Sequence, residues 1–243
     1  MTNQAERSIF SREYEVNYTM AAKSLTDLSQ ELFGVEVAPE QRTLWDAMFP
    51  AMFYLDNLLD QDDTAEKRLA TFQRSIDFLI TGETNDLAVS GVEALIPLRA
   101  AVQAINPSKL PEMARQAHTI ALLGERARQA KNVRTLGIIS LAEGRATSRL
   151  VTPIAPSPNG DDQTEFNQYL ELLSTHANAL DTVFDIKQDA ANGLLNFQPT
   201  IKDQVELFAM LTPGIATLLK RLDFSMFVKI SKPAIKTFIN RKK

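Results

Sequence analysis

Two stretches of the sequence place aspartates at helical spacing among apolar residues. In Tyr54-Leu-Asp-Asn-Leu-Leu-Asp-Gln-Asp-Asp63, Asp60 lies four positions and Asp63 seven positions after Asp56. In Asn178-Ala-Leu-Asp-Thr-Val-Phe-Asp-Ile-Lys-Gln-Asp189, the residues Asp181, Asp185 and Asp189 stand at i, i+4 and i+8, with Leu180, Val183, Phe184 and Ile186 between them. On an α-helix each set stacks on one face, a turn apart. Like charges at that spacing cost a helix roughly a few tenths of a kcal/mol per pair. Water on a solvated face can offset this cost, and so can a hard divalent cation. Mg²⁺ is typically held by one or two carboxylates together with substrate phosphates. Two such stripes facing each other across a cavity could bind a cluster of Mg²⁺ ions and a diphosphate.

A third pattern is basic. Arg134, Ile138, Leu141, Arg145 and Arg149 fall along one side of a helix by the 3.6-residue period. Arginines among apolar side chains suit an anion such as diphosphate, which Arg binds in bidentate fashion. They equally suit snorkelling side chains at a helix end. Lys187 lies off the aspartate face, within reach of a diphosphate or of solvent.

The paired aspartate segments resemble those of the class I isoprenoid synthases, the superfamily of terpene cyclases, trans-prenyltransferases and squalene/phytoene synthases. The first motif of that family is Asp-Asp-x-x-Asp or Asp-x-x-x-Asp, here Asp56-Asn57-Leu58-Leu59-Asp60. The second is a triad at i, i+4, i+8 or another Asp-x-x-x-Asp, and Asp181, Asp185 and Asp189 satisfy both. The resemblance implies an all-α, single-domain helical bundle around a central apolar cavity. It implies Mg²⁺ on Asp56, Asp60, Asp181, Asp185 and Asp189, the first four also catalytic, with a prenyl diphosphate as substrate. The diphosphate-sensing arginine of the family corresponds best to Arg145, beside Gly144 at an expected helix kink, and next to Arg134. Lys187 would be a further diphosphate contact, and Phe49, Phe53 and Phe184 would line the cavity. Thr64-Ala-Glu-Lys-Arg-Leu follows the first motif where elongating enzymes carry an Arg-Arg-Gly segment. The resemblance therefore implies ionisation or cyclisation of one prenyl diphosphate first. Prenyl transfer or head-to-head condensation is the alternative, and outside the family a helical lipid-binding or scaffold protein.

The composition of the chain agrees with a helical scaffold. Its 243 residues are 44% hydrophobic and 23% charged, with few glycines, a balance typical of a folded protein. The absence of cysteine excludes disulfides and thiolate chemistry. Two distant histidines, His118 and His176, give no zinc pattern, and a net charge of −4 gives no nucleic-acid signal. No secretory leader or membrane span is read, so the expected location is the cytoplasm. A homodimer is left open.

Residues 1–12 read as a flexible polar arm, and 13–243 as the single domain. Helices are expected over Glu13–Phe33, from Pro39 into the first aspartate segment, over Thr64–Ile80, over Ser90–Ile105 and, as one long kinked helix or two, from Leu110 to about Leu150. Two more are expected from about Thr164 to Asn192 and over Ile201–Leu222. Pro50, Pro97 and Pro213-Gly214 predict kinks or breaks. The Pro-rich segment Val151–Asp162 predicts a loop at the mouth of the cavity. Lys220–Lys243 holds eight Lys and Arg against one acid among apolar residues. It suits an anionic membrane surface or, equally, a last core helix with a solvated end.

Overall fold

A computed structural model of the protein describes residues 21–61, 64–84 and 89–220, without side-chain detail at 56–61 and 89–92. The expected arm 1–12, the start of the first helix, Asp62, Asp63 and the basic tail beyond Lys220 lie outside the described residues. The fold is all-α. Among the described residues there are eight helices and no strand. They are α1 (21–33), α2 (Pro39–Gln61), α3 (Ala65–Thr81), α4 (Val89–Ile105), α5 (Leu110–Arg128), α6 (Val133–Val151), α7 (Thr164–Ala191) and α8 (Ile201–Leu219). No helix among them is long and apolar enough to cross a membrane.

The boundaries follow local chemistry. Thr64, Asn132 and Thr200 each accept a backbone N–H of the next helix on a side-chain oxygen, and Thr200 with Asp203 completes a capping box. Gly193 (φ 74°) ends α7 in a left-handed turn. There Leu194 N–H bonds to Asp189 O at 2.8 Å and Gly193 N–H to Ala190 O at 3.1 Å, the two bonds of a Schellman end.

Pro50, Pro97 and Pro213 all lie inside continuous helices. A proline removes one backbone donor and crowds one turn, and packing on either side of it holds these helices together. Asn106-Pro-Ser forms a short 3₁₀ turn, as a break requires. The stretch from Leu110 to Leu150 is two helices, but the break is at Gln129–Asn132 and at none of its glycines.

The core has two parts. The larger is built from α1 to α5 with the end of α6 and the start of α7, and includes Trp45, Met48, Phe72, Leu95 and Phe166. The smaller joins the start of α6, the end of α7 and α8 through Val133, Leu136, Val183, Ile186, Leu207 and Leu211. Leu218 of α8 also joins the larger, and α6 and α7 belong to both. Their crossing is close: a Cβ on Gly144 would meet Thr175 Cα at 2.6 Å and Ser174 O at 2.7 Å. Gly144, expected at a kink, is instead a contact surface.

The larger core is closed by a buried ion pair between α3 and α5. Arg68 Nε and Nη2 donate to Glu125 Oε1 and Oε2 at 2.6 and 2.7 Å, and Arg128 Nε lies 3.8 Å from Oε1. The Arg68 hydrogen bond holds the Glu125 carboxyl below the usual glutamate range against the opposing effect of burial. A carboxyl lowered on folding adds stability above its unfolded pKa, and that stability is lost as pH falls through the folded value.

Two tests follow. Gly144→Ala should destabilise the protein by about 1–3 kcal/mol through overpacking. Gly124→Ala, with open space around the added Cβ, should stabilise it by about 0.5–1 kcal/mol through helix propensity. Urea unfolding measures both, and a neutral Gly144→Ala would refute the backbone contact. Glu125→Gln should cost about 2 kcal/mol near neutral pH. Its difference from the parent should shrink as pH falls through the parent's own folded carboxyl pKa, which lies below the usual glutamate range. Unfolding curves across pH would show a constant gap if the carboxylate were irrelevant.

Candidate functional site

The second aspartate stripe is carried by the C-terminal half of α7. Asp181 is exposed, and Asp185 and Asp189 are half-buried. Beside them Val183 and Ile186 are buried in the smaller core. The stripe is held in register by α6. Asn178 Nδ2 donates to Ser140 O at 3.0 Å, and Thr182 Oγ1 donates to Ser140 Oγ at 3.0 Å. Asn178 is thus committed to the neighbouring helix. His176 is packed: its Nδ1 is 2.8 Å from Leu172 O, and a Cβ on Gly214 of α8 would overlap its ring.

These contacts fix how α6 and α7 align. Gly144 meets Ser174 and Thr175, while Ser140 meets Asn178 and Thr182, so the helices are antiparallel. Arg145 therefore stands level with Ser174, and Arg134 level with Asp185. The side matters as much as the level. α8 packs on the flank of α6 marked by Gly137, where an added Cβ would meet Leu207 and Met210, and on the flank of α7 marked by His176. At 100° per residue, Arg134 and Arg145 lie beyond that flank on the outer surface of α6, with Ile138, which is 57% exposed. Asp181 and Asp185 lie on the opposite flank of α7. The structure thus separates the expected arginines from the stripe by the thickness of the α6–α7 layer. Lys187, also exposed, points away from α6.

The first motif lies at the end of α2. Asp56 and Asp60 are in its last turns, and their side chains, like Asp63, lie outside the described residues. α2 and α7 begin at one corner of the molecule, where the Trp45 and Phe166 rings stack edge-on with centroids 6.5 Å apart. From there the rise per residue puts Asp56 about 16 Å along α2 and Asp181 about 22 Å along α7. Among the described residues no group of three or more His, Asp or Glu side chains could hold a metal ion.

Of the expected cavity aromatics, Phe49 is half-buried against the larger core and Phe53 is half-buried. Phe184 is 56% exposed on the outer surface of α7, so it does not line an enclosed cavity among the described residues. Trp45 is fully buried and donates its indole N–H to Val151 O at 2.8 Å.

The loop 152–163 is found at the far end of α7 from the stripe, because that helix is 28 residues long. It is tied to the start of α2: Gln41 Oε1 accepts from Ile154 N–H and Ala155 N–H at 2.7 and 3.1 Å. There the loop borders a cleft of about 350 Å³ lined by Lys109, Glu112, Gln116, Arg149 and Ile154, among others. Lys109 donates to Glu112 at 2.8 Å and lowers the Glu112 pKa. Sequence reasoning missed this cleft. Its one signal was Arg149, which had been grouped with Arg145.

Compared with known proteins, the chain matches no family model, no curated protein and no solved structure. The site rests on its own geometry.

Because Arg145 and Asp185 lie on opposite sides of the α6–α7 layer, Arg145→Ala and Asp185→Ala should have additive effects on unfolding free energy, within about 0.5 kcal/mol. A coupling clearly larger than that in a double-mutant cycle would place them in one cluster.

Proposed function

We propose that the protein is a Mg²⁺-dependent class I terpene synthase that ionises a prenyl diphosphate and releases diphosphate, working in the cytoplasm. In this reading the bundle belongs to the class I isoprenoid synthase fold and encloses an apolar cavity. The observation that carries it is the stripe on α7: Asp181 and Asp185 on the flank away from α8, with Asp189 one turn further on, along a helix whose rotation is fixed by α6. The common starting corner of α2 and α7 adds support, since both helices carry their aspartates downstream of it.

Mg²⁺ would be held by Asp181, Asp185 and Asp189 together with Asp56 and Asp60. When bound, it neutralises the leaving diphosphate and favours heterolysis of the allylic C–O bond. The chain's own part is positional. Ser140 fixes the rotation of α7 through Asn178 and Thr182, and the Schellman end at Gly193 keeps the turn bearing Asp189 from fraying. Arg134 and Arg145 lie on the other side of the layer, on the outer surface of α6.

The wild-type protein with Mg²⁺ and geranyl, farnesyl or geranylgeranyl diphosphate alone should release diphosphate and form hydrocarbons or alcohols. Asp185→Ala should abolish release while keeping its helical circular dichroism. Mg²⁺ with inorganic diphosphate should raise Tm by linkage. If neither diphosphate release nor a Tm shift is seen, the proposal fails. A longer prenyl diphosphate, formed only when isopentenyl diphosphate is added, would replace it with prenyl transfer.

A further inference from the structure

The last described helix has two apolar faces. Leu207, Leu211 and Leu218 are buried against α6 and α7. On another side Ile201, Val205, Phe208 and Leu219 are 71, 63, 49 and 44% exposed. At 100° per residue these four fall within one arc with Ala209, Thr212 and Ala216, all exposed. The arc contains no charged residue over the full length of α8. Its one hydroxyl is satisfied internally, since Thr212 Oγ1 donates to Phe208 O at 3.2 Å. Lys202 and Lys220, five turns apart, stand at the same angle along one edge of this stripe.

We propose that this outer face of α8 docks on an anionic lipid bilayer surface. Two observations select that occupant. The first is charge. The chain has 26 Lys and Arg and 30 Asp and Glu, yet residues 220–243, which continue from the end of the stripe, hold eight of the bases and only one of the acids. The segment is thus +7 within a protein of net −4. An apolar helical face with lysines at its edge and a strongly basic continuation is the pattern of an interfacial membrane anchor. The second is area. A stripe about 27 Å long and about 10 Å wide offers roughly 300 Å², well below the ~800 Å² per partner of a stable protein interface. A second copy meeting α8 antiparallel would also set Lys202 against Lys220. A bilayer needs only a few inserted side chains and a negative surface. This inference rests on α8 and the charge distribution alone, and stands whether or not the aspartate site is catalytic.

The test is co-sedimentation of the full chain with phosphatidylcholine vesicles, with and without phosphatidylserine. The protein should bind the anionic vesicles at least about tenfold better than the neutral ones, and added salt should weaken the binding. The double variant Val205→Glu with Phe208→Glu changes exposed positions only. It should keep the parental circular dichroism and Tm and lose about tenfold or more of vesicle binding. The proposal is overturned if the parent binds neither vesicle, or if the double variant binds as well as the parent, which would assign binding to the basic segment alone. It is also overturned if the parent is a dimer that the double variant converts to a monomer without any vesicle binding.

Discussion

The contact between α6 and α7 at Gly144 is the constraint on which the arrangement depends. With no side chain at that position, the backbone of α7 comes within van der Waals reach of α6 at Ser174 and Thr175. The same closeness lets Ser140 bond both Asn178 and Thr182 one turn further on. The two helices act as a single ridge, with the larger core packed on one end and the smaller on the other. The direction in which Asp181, Asp185 and Asp189 face is therefore set by a glycine roughly two to four turns away and not by the aspartates themselves.

The aspartates are also badly placed for helix stability. Carboxylates favour the N-terminal end of a helix, where the macrodipole is positive. Those on α2 and α7 lie near the C-terminal ends, and neither helix has a basic residue in its last turn. Repulsion between turns and an unfavourable dipole add in the same sense.

Much of the helical framework could be read from local chemistry. Leu69, Phe72, Ile76 and Leu79 follow the 3.6-residue period along α3, and three of them are buried. Gly34, Gly82 and Gly193 ended helices because each turn needs a positive φ. What failed depended on tertiary contact. Proline penalties are local, so Pro50, Pro97 and Pro213 suggested kinks or breaks, and the helices run on unbroken through all three. The 3.6-residue period placed Arg134, Ile138 and Arg145 on one face, but no period says which neighbour a face meets. Gly144 was legible as a weak helix former and illegible as a contact, because its partner lies about thirty residues away in the sequence. The aspartate spacing was plain. Its relation to the first motif depends on side chains outside the described residues.

The ties at the shared corner of α2 and α7 have a kinetic consequence. Most helix pairs here join neighbours in sequence, and such contacts close quickly. The Trp45 indole instead reaches Val151 across 106 residues, and Gln41 reaches Ile154 across 113. The entropy of closing so long a loop must be met before these bonds contribute, and distant contacts of this kind slow folding. On this ground the corner is expected to form late, after the α6–α7 hairpin exists to receive α2. Trp45, the chain's single tryptophan, is fully buried at this corner, so its fluorescence reports directly on whether the corner is assembled.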